Sequence, residues 1–398
     1  MRLLRYVAMF LLLAPVAGAA QEPLQVPSSA SEPPGLVAEP DFLTRVVIFA
    51  DRHLGKGDLT NGIYADYGNM IPGAGWLSIG PGYRQWYGDD SAFLDASASM
   101  SVNRYKLAQA RFELPKFMKS RLALGTQVRW QDFGRVEYFG VGPDTTEDMR
   151  SVYGVRSTQL AGYATLRPLR WMALTATAGW MNPRTERVDG SMAMSLDDRR
   201  TFVTQEAALT IDTRDFPGHP TRGVVLRGVA ARHLDQSDGV NDFDKWEGEA
   251  AGFMPLAGGR AVLALHGWVV NTEARSGGVV PFYLQPSLGG VNTLRSYSDY
   301  RFHDNAMAVA NVELRLALMQ HLDWAVFADA GNVAARPGDL DFARRSYGTG
   351  LRLHTRRETF AMVDVARGDE GWRVLFRLND PLRLGRLARR TTTVPFVP

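Results

Sequence analysis

From about residue 42 to residue 378 the chain alternates apolar and polar residues in runs of eight to twelve, punctuated by Gly, Pro, Asp and Asn. In residues 306–317, Ala308, Ala310, Val312, Leu314 and Leu316 share one face, and Asn311, Glu313 and Arg315 the other. Residues 322–331 set Leu322, Trp324, Val326, Ala328 and Ala330 against Asp323 and Asp329. Residues 346–354 set Tyr347, Thr349, Leu351 and Leu353 against Ser346, Gly348, Gly350, Arg352 and His354. Upstream, Leu122, Leu124, Val128 and Trp130 alternate with Gln127, Arg129 and Gln131, and Met172 to Trp180 repeats the pattern. A period of two belongs to strands with one apolar and one polar face. Fifteen strands are predicted, over 74–84, 91–101, 104–114, 121–131, 155–167, 170–181, 200–212, 221–232, 242–254, 259–272, 306–317, 322–331, 345–354, 358–366 and 371–378. A sixteenth over 43–50, around Val46-Val47-Ile48-Phe49, gives the even number expected of a bacterial single-chain barrel.

Such strands suit a soluble sandwich or barrel, or a transmembrane barrel. The soluble form turns its apolar face inward and needs an enormous core for a chain of 398 residues. The membrane form turns its polar face to the lumen, where Glu313, Arg315 and Asp329 are tolerated. Spanning strands need about 9–11 residues, and Trp130, Trp171, Trp180, Trp268 and Trp324 at strand ends suggest an aromatic girdle. With both termini periplasmic, loops 51–73, 132–154, 182–199, 233–241, 273–305 and 332–344 face outward, and the inward turns, such as 167–170 and 255–258, are all short. The prediction is an all-β fold: a transmembrane antiparallel β-barrel of 16 strands over residues 43–378.

The ends read differently. Residues 1–20 form a signal peptide, with Arg2 and Arg5, an apolar stretch from Val7 to Ala14, and Ala17-Gly18-Ala19 for cleavage. Residues 21–42 form a periplasmic linker rich in proline: Pro23, Pro27, Pro33, Pro34 and Pro40. Residues 379–398 form a basic tail with Arg383, Arg386, Arg389 and Arg390, read as a solvated periplasmic tail or as a contact for a partner or lipid headgroups.

Composition works by exclusion. The 45 basic and 42 acidic residues give +3, or +1 once Arg2 and Arg5 are removed, which is no footprint for nucleic acid. The absence of cysteine excludes disulfides, thiolate-bound zinc, iron–sulfur clusters and thiol nucleophiles. The seven histidines (53, 219, 233, 266, 303, 321 and 354) lack metal-type spacing, and no G-x-S-x-G elbow occurs. No enzyme, metal or cofactor is predicted.

Four spaced motifs carry more information. Loop 273–305 contains Leu288-Gly289-Gly290-Val291-Asn292-Thr293-Leu294-Arg295-Ser296-Tyr297, then Tyr300-Arg301-Phe302. Asn311-Val312-Glu313-Leu314-Arg315 lies in the next strand, and Phe327-Ala328-Asp329-Ala330-Gly331 follows. Upstream stands Asp212-Thr213-Arg214-Asp215-Phe216-Pro217, with Pro220 and Gly223 behind it. In this order, over about residues 70–378, the segments resemble the barrel of the bacterial surface antigen family, which includes BamA, TamA and the two-partner secretion transporters.

The resemblance implies that the long loop folds into the lumen and that Arg295 meets Asp329, with Glu313 as a second acidic neighbour. Ser296 stands where the family has Gly, which puts the geometry of the loop tip in question if that position needs a positive φ. Family members with assembly or secretion roles place POTRA domains before the barrel, whereas here only the linker precedes it, so the chain resembles barrel-only members. The function so implied is that of an outer-membrane relative of the assembly and secretion translocases, with its lumen plugged by loop 273–305. The alternative is a structural barrel, pore or membrane anchor for a separate periplasmic partner, without insertase activity. An outer-membrane esterase is the remaining reading. Outer-membrane lipid and a periplasmic protein are the candidate partners of a monomeric barrel.

Overall fold

The computed structural model describes residues 35–54, 61–71, 74–118, 121–189, 197–275 and 277–378. Helix α1 (Asp41–Leu54) precedes the strands β1 (Gly62–Ile71), β2 (Ala74–Tyr87), β3 (Ala92–Ser101), β4 (Lys106–Phe117), β5 (Leu122–Tyr138), β6 (Ser151–Leu169) and β7 (Met172–Met181). Next come β8 (Arg184–Asp189), β9 (Asp198–Arg199), β10 (Phe202–Asp212), β11 (Gly223–Asp235), β12 (Phe243–Leu256) and β13 (Ala261–Ala274). Two short strands, β14 (Ser287–Leu288) and β15 (Phe302–His303), lie inside the long loop. The chain ends with β16 (Ala306–Met319), β17 (Leu322–Ala334), β18 (Arg344–His354), β19 (Thr359–Gly368) and β20 (Gly371–Arg377).

Among the described residues, all strands but β14 and β15 join one antiparallel sheet of 18 strands, each long strand pairing with the long strands next to it in sequence. This exceeds the expected 16 because β8 and β9 are short pieces: β8 continues past β7 along the outer half of β6, and β9 pairs with β8. The last strand lies against β2. Among the described residues no ladder joins β1 to β20.

Burial along the strands is inverted relative to a water-soluble protein. Val312, Trp324, Val326, Tyr347, Leu351 and Val363 are all exposed, whereas their neighbours Glu313, Arg315, Asp329, Arg352 and Asp364 are at most 2% exposed. An apolar exterior around a polar interior is what a bilayer outside and a lumen inside require. Trp130, Trp171, Trp180 and Trp324 face outward as expected. Trp268 does not: it has the parity of buried His266 and Val270 and packs against an internal apolar cluster. Near a strand end a Trp serves an interior pocket as well as a girdle, and parity decides between them.

The expected strand at 43–50 is wrong, since those residues lie in α1. The run Val46-Val47-Ile48-Phe49 suits either element, and Leu43, Val46, Val47, Ala50 and Leu54 also recur at helical spacing. Pro40 and Asp41 supply a helix start, with a negative charge in the first turn. The strand missed instead is β1, assigned to a loop because Gly62, Asp66, Gly68 and Asn69 are poor strand formers. Ahead of α1, the Leu36 and Val37 amides donate to the carbonyls of Ala317 and Leu318 at 3.1 and 2.9 Å. Glu39 accepts from the His321 amide at 2.8 Å and meets its Nδ1 at 2.8 Å. The segment before α1 is thereby held at the β16–β17 turn.

Most turns at that end of the barrel are short. The connection from β10 to β11, residues 213–222, is the exception. It reaches past β12, β13, β16 and β17 to the β18–β19 turn, where Gly218 bridges Glu358 and the Thr359 amide donates to the Gly218 carbonyl at 3.0 Å. At the opposite end, the residues between β13 and β16 turn inward. Val280 and Tyr283 join buried Phe133, Tyr138, Tyr153, Phe202 and Phe243. Leu288, Leu294, Tyr297 and Phe302 join Val270, Met307, Val309 and Val333. These two clusters hold the loop against neighbouring stretches of the wall, β5 to β12 and β13 to β17.

Candidate functional site

The long loop turns back on itself at Gly289 and Gly290, with φ of 122° and 86°. A side chain at Gly289 would collide with the Ser298 carbonyl, so the crossing needs glycine for conformation and for space. Thr293 closes the turn through its hydroxyl, which accepts from the Gly289 amide at 2.9 Å and donates to the Gly289 carbonyl at 3.0 Å. The hairpin β14–β15 pairs the two arms through Ser287–His303 and Leu288–Phe302.

This turn delivers Arg295, 1% exposed, to the wall formed by β16, β17 and β19. Its Nη2 and Nε donate to Asp329 at 2.7 and 3.0 Å, and its Nη1 donates to Glu313 at 2.8 Å. Asp364 lies 3.5 Å from Nη1, and the guanidinium sits 3.3 Å above the centre of the Phe327 ring. Planar donors spread over two carboxylates with an aromatic face beneath are a geometry that lysine cannot reproduce. Burial alone would pull the Arg295 pKa down, but Asp329, Glu313 and Asp364 together hold it above its ordinary value.

Three further residues belong to the cluster and were missed in sequence. Arg315 donates to Glu313 at 3.0 Å, and Arg352 donates to Glu313 at 2.9 Å and to Asp364 at 2.5 Å. Three arginines thus face three carboxylates, so the buried cluster is charge-balanced. Further polar groups extend it: Asn311 donates to Asp329 and to the Thr293 carbonyl, each at 2.8 Å, and His266 bridges Asn311 and Glu249 at 2.7 and 3.0 Å. The available signal was parity, because Arg315, Arg352 and Asp364 all stand at inward positions.

Ser296 fits without a left-handed backbone, since it is absent from the residues with positive φ. Its amide donates to Ser346 Oγ at 3.0 Å and the two hydroxyls lie 2.6 Å apart, above Gly368. The hydroxyl therefore joins the loop tip to β18. Leu294 is fully buried, and Tyr297 is buried with its hydroxyl donating to Asp369 at 3.0 Å. Arg301 donates to Glu370 at 2.7 Å and to Thr145 at 3.0 Å and 2.6 Å. Arg373 donates to Ser298 at 2.6 Å, and Arg377 bonds Asn292. The loop is thus tied to β18, to β20 and the turn before it, and to the connection between β5 and β6.

The remaining motif residues support the backbone. Asp212 accepts from Arg214 Nε and Nη2 at 2.9 and 2.7 Å. Asp215 accepts from the amides of Phe216, Thr221 and Arg222 at 2.9, 3.0 and 3.2 Å, and Arg214 Nη1 lies 3.4 Å from the Pro217 carbonyl. Gly223, with φ 106°, faces Thr213, where a Cβ has no room. Gly331 allows β17 to approach Ala308 and Val309 closely.

The chain matches the Omp85 superfamily domain over residues 92–356. It belongs to the Omp85 superfamily. No curated protein sequence matches it. Among solved structures, this Omp85 chain is similar to BamA from Haemophilus ducreyi lacking POTRA domains 1–3, with TM-score 0.63 and 17% identity over 81% of this chain and 70% of that one. CdiB from Acinetobacter baumannii gives TM-score 0.51 and 15% identity over 80% and 59%. CdiB from Escherichia coli gives 0.53 and 14% over 80% and 62%. The chain therefore spans about three fifths of each CdiB chain. At these identities the likeness concerns the fold: an outer-membrane β-barrel of the Omp85 type.

Asp299 gives the loop a pH dependence. Burial raises its pKa to about 7, Glu137 adds to the rise and Arg373 opposes it. An unfolded aspartate titrates near about 3.9. The folded loop is therefore favoured at low pH, and that contribution falls away as pH rises through about 7. Protease sensitivity of the loop is expected to increase from pH 6 to pH 8, and Asp299→Asn is expected to flatten the rise. An unchanged slope in that variant would remove Asp299 as the cause.

Proposed function

We propose that this chain is a relative of the outer-membrane assembly and secretion translocases whose lumen is plugged by the loop between β13 and β16. Arg295 locks the plug to Asp329 and Glu313, and polypeptide is handled at the seam between β20 and the first hairpin, β1–β2. The observation that carries the reading is the position of the loop between the two. Its arginine is sealed into the wall, while Tyr297, Ser298, Arg301 and Asn292 hold β20 and the turn before it.

The seam is suited to opening. β20 spans only Gly371–Arg377 and pairs with β19 over seven positions. Unpaired strand edges are templates for another strand. The outward side chains Trp372, Val374 and Phe376 keep β20 anchored in lipid while its inward side is held by the loop. Such a barrel meets lipid along its wall and a client or partner protein at its periplasmic mouth.

Planar-bilayer recording of the folded barrel is the test. A plugged translocase is expected to show little steady current, with brief openings. A wide, steadily open pore would instead support the structural or transport barrel.

A further inference from the structure

The tip of the 213–222 connection carries a feature that the loop lock does not use. His219, at the tip, lies beside Asp323 at the start of β17 and His354 at the end of β18, and all three are buried. We propose that His219, Asp323 and His354 form a site for one divalent transition-metal ion, zinc by preference, that staples the 213–222 hairpin across the mouth of the barrel.

The donor geometry supports this. His219 Nε2 lies 3.7 Å from Asp323 Oδ2, and His354 Nε2 lies 3.2 Å from Asp323 Oδ1. One donor atom from each of the three residues lies within 4.8 Å of the others. Ligands about 2.0–2.2 Å from a tetrahedral ion stand roughly 3.3–3.5 Å apart, so small adjustments bring the set together.

The second ring nitrogens are arranged as metal-bound histidines require. His354 Nδ1 lies 3.1 Å from the Thr355 carbonyl, which only accepts, so Nδ1 carries the hydrogen and directs the Nε2 lone pair at Asp323. His219 Nδ1 is held by Thr359 Oγ1 at 3.0 Å. Such outer contacts fix tautomer and ring orientation at metal centres. Either a proton on His354 Nε2 or a metal ion between Nε2 and the Asp323 carboxylate makes their contact attractive, and the titration with zinc distinguishes the two.

Two imidazoles and one carboxylate suit zinc, copper or nickel better than magnesium or calcium, which prefer all-oxygen shells. The rings stack at 3.9 Å and 7°. An ion in the plane of both must tilt them apart, so uptake splays the stack. His219 comes from a connection separated around the sheet from the adjacent strands β17 and β18, and one ion therefore ties the hairpin to both.

The test uses the full barrel without a histidine tag, refolded in detergent, stripped by chelator and titrated with zinc against a chromophoric competitor. One zinc per chain is expected, retained through dialysis and measured by elemental analysis. His219→Gln and His354→Gln, checked for folding by heat-modifiable migration, are expected to weaken zinc binding by about tenfold or more. His233→Gln, at a buried histidine stacked on Phe243 outside the cluster, is expected to keep it. Absence of stoichiometric zinc in the folded parent overturns the proposal and leaves a plain hydrogen-bonded ion pair. Equal zinc retention in the folded His219→Gln and His354→Gln chains overturns it too.

Discussion

Replacement of Arg295 by Ala is expected to destabilise the folded barrel by about 3–5 kcal/mol, the range for breaking one side of a buried ion pair. The loss exceeds the removed contacts. With Arg295 gone, Asp329, Glu313 and Asp364 face only Arg315 and Arg352, and one buried negative charge is left uncompensated. Asp329 keeps Asn311 as a donor but loses its ion pair with Arg295. Arg295→Lys is expected to recover part of the loss, since an ammonium cannot bridge Asp329 and Glu313 while lying flat on Phe327. Arg295→Ala combined with Asp329→Asn is expected to be no worse than Arg295→Ala alone, because the second change removes the stranded charge. Heat-modifiable migration and urea midpoints after refolding provide the measurements. An Arg295→Ala barrel that resists heat and urea like the parent would refute the lock.

The alternation of the strands was legible because a bilayer and a polar lumen impose opposite solvents on adjacent side chains. Arg295 could be named in advance from the loop motif and the resemblance it carries, and Asp329 and Glu313 because motif and parity agreed on them. Arg352 and Asp364 share the parity, yet their partnership depends on how β16, β17, β18 and β19 are registered, with Asp329 opposite Ser346 and Arg352 opposite Met362. Register of that kind is set by the whole sheet and by turn geometry. His219 and His354 are far apart in sequence, and only a hairpin folded across the barrel mouth brings them together. Spacing rules for metal ligands presume a local motif and could not find this pair. The error at 43–50 arose because a short apolar run carries no period of its own. Loop length misled in the opposite direction at 213–222, where an inward turn is long enough to cross the mouth.

Excision of residues 277–303, with a short Gly-Ser bridge from β13 to β16, is expected to turn a quiet barrel into an open, cation-preferring pore. Sheets of about 16–18 strands close around an aqueous channel in porins. Here the interior near Arg295 is occupied by the loop, including buried Leu288, Leu294, Tyr297 and Phe302. Removing the loop vacates that space and also removes one of three arginines from a balanced cluster. The wall that remains presents Glu313, Asp329 and Asp364 against Arg315 and Arg352, a local charge of −1 facing water. A negative lining concentrates cations, and the effect weakens as salt screens it. In bilayers the excised barrel is expected to conduct steadily, with a reversal potential in a salt gradient that favours cations and relaxes at high ionic strength. The same barrel also separates the two functional readings. If the loop is a plug, the parent is quiet and the excised form conducts. If both conduct alike, the loop does not obstruct the lumen, and a structural or transport barrel is the better account of the chain.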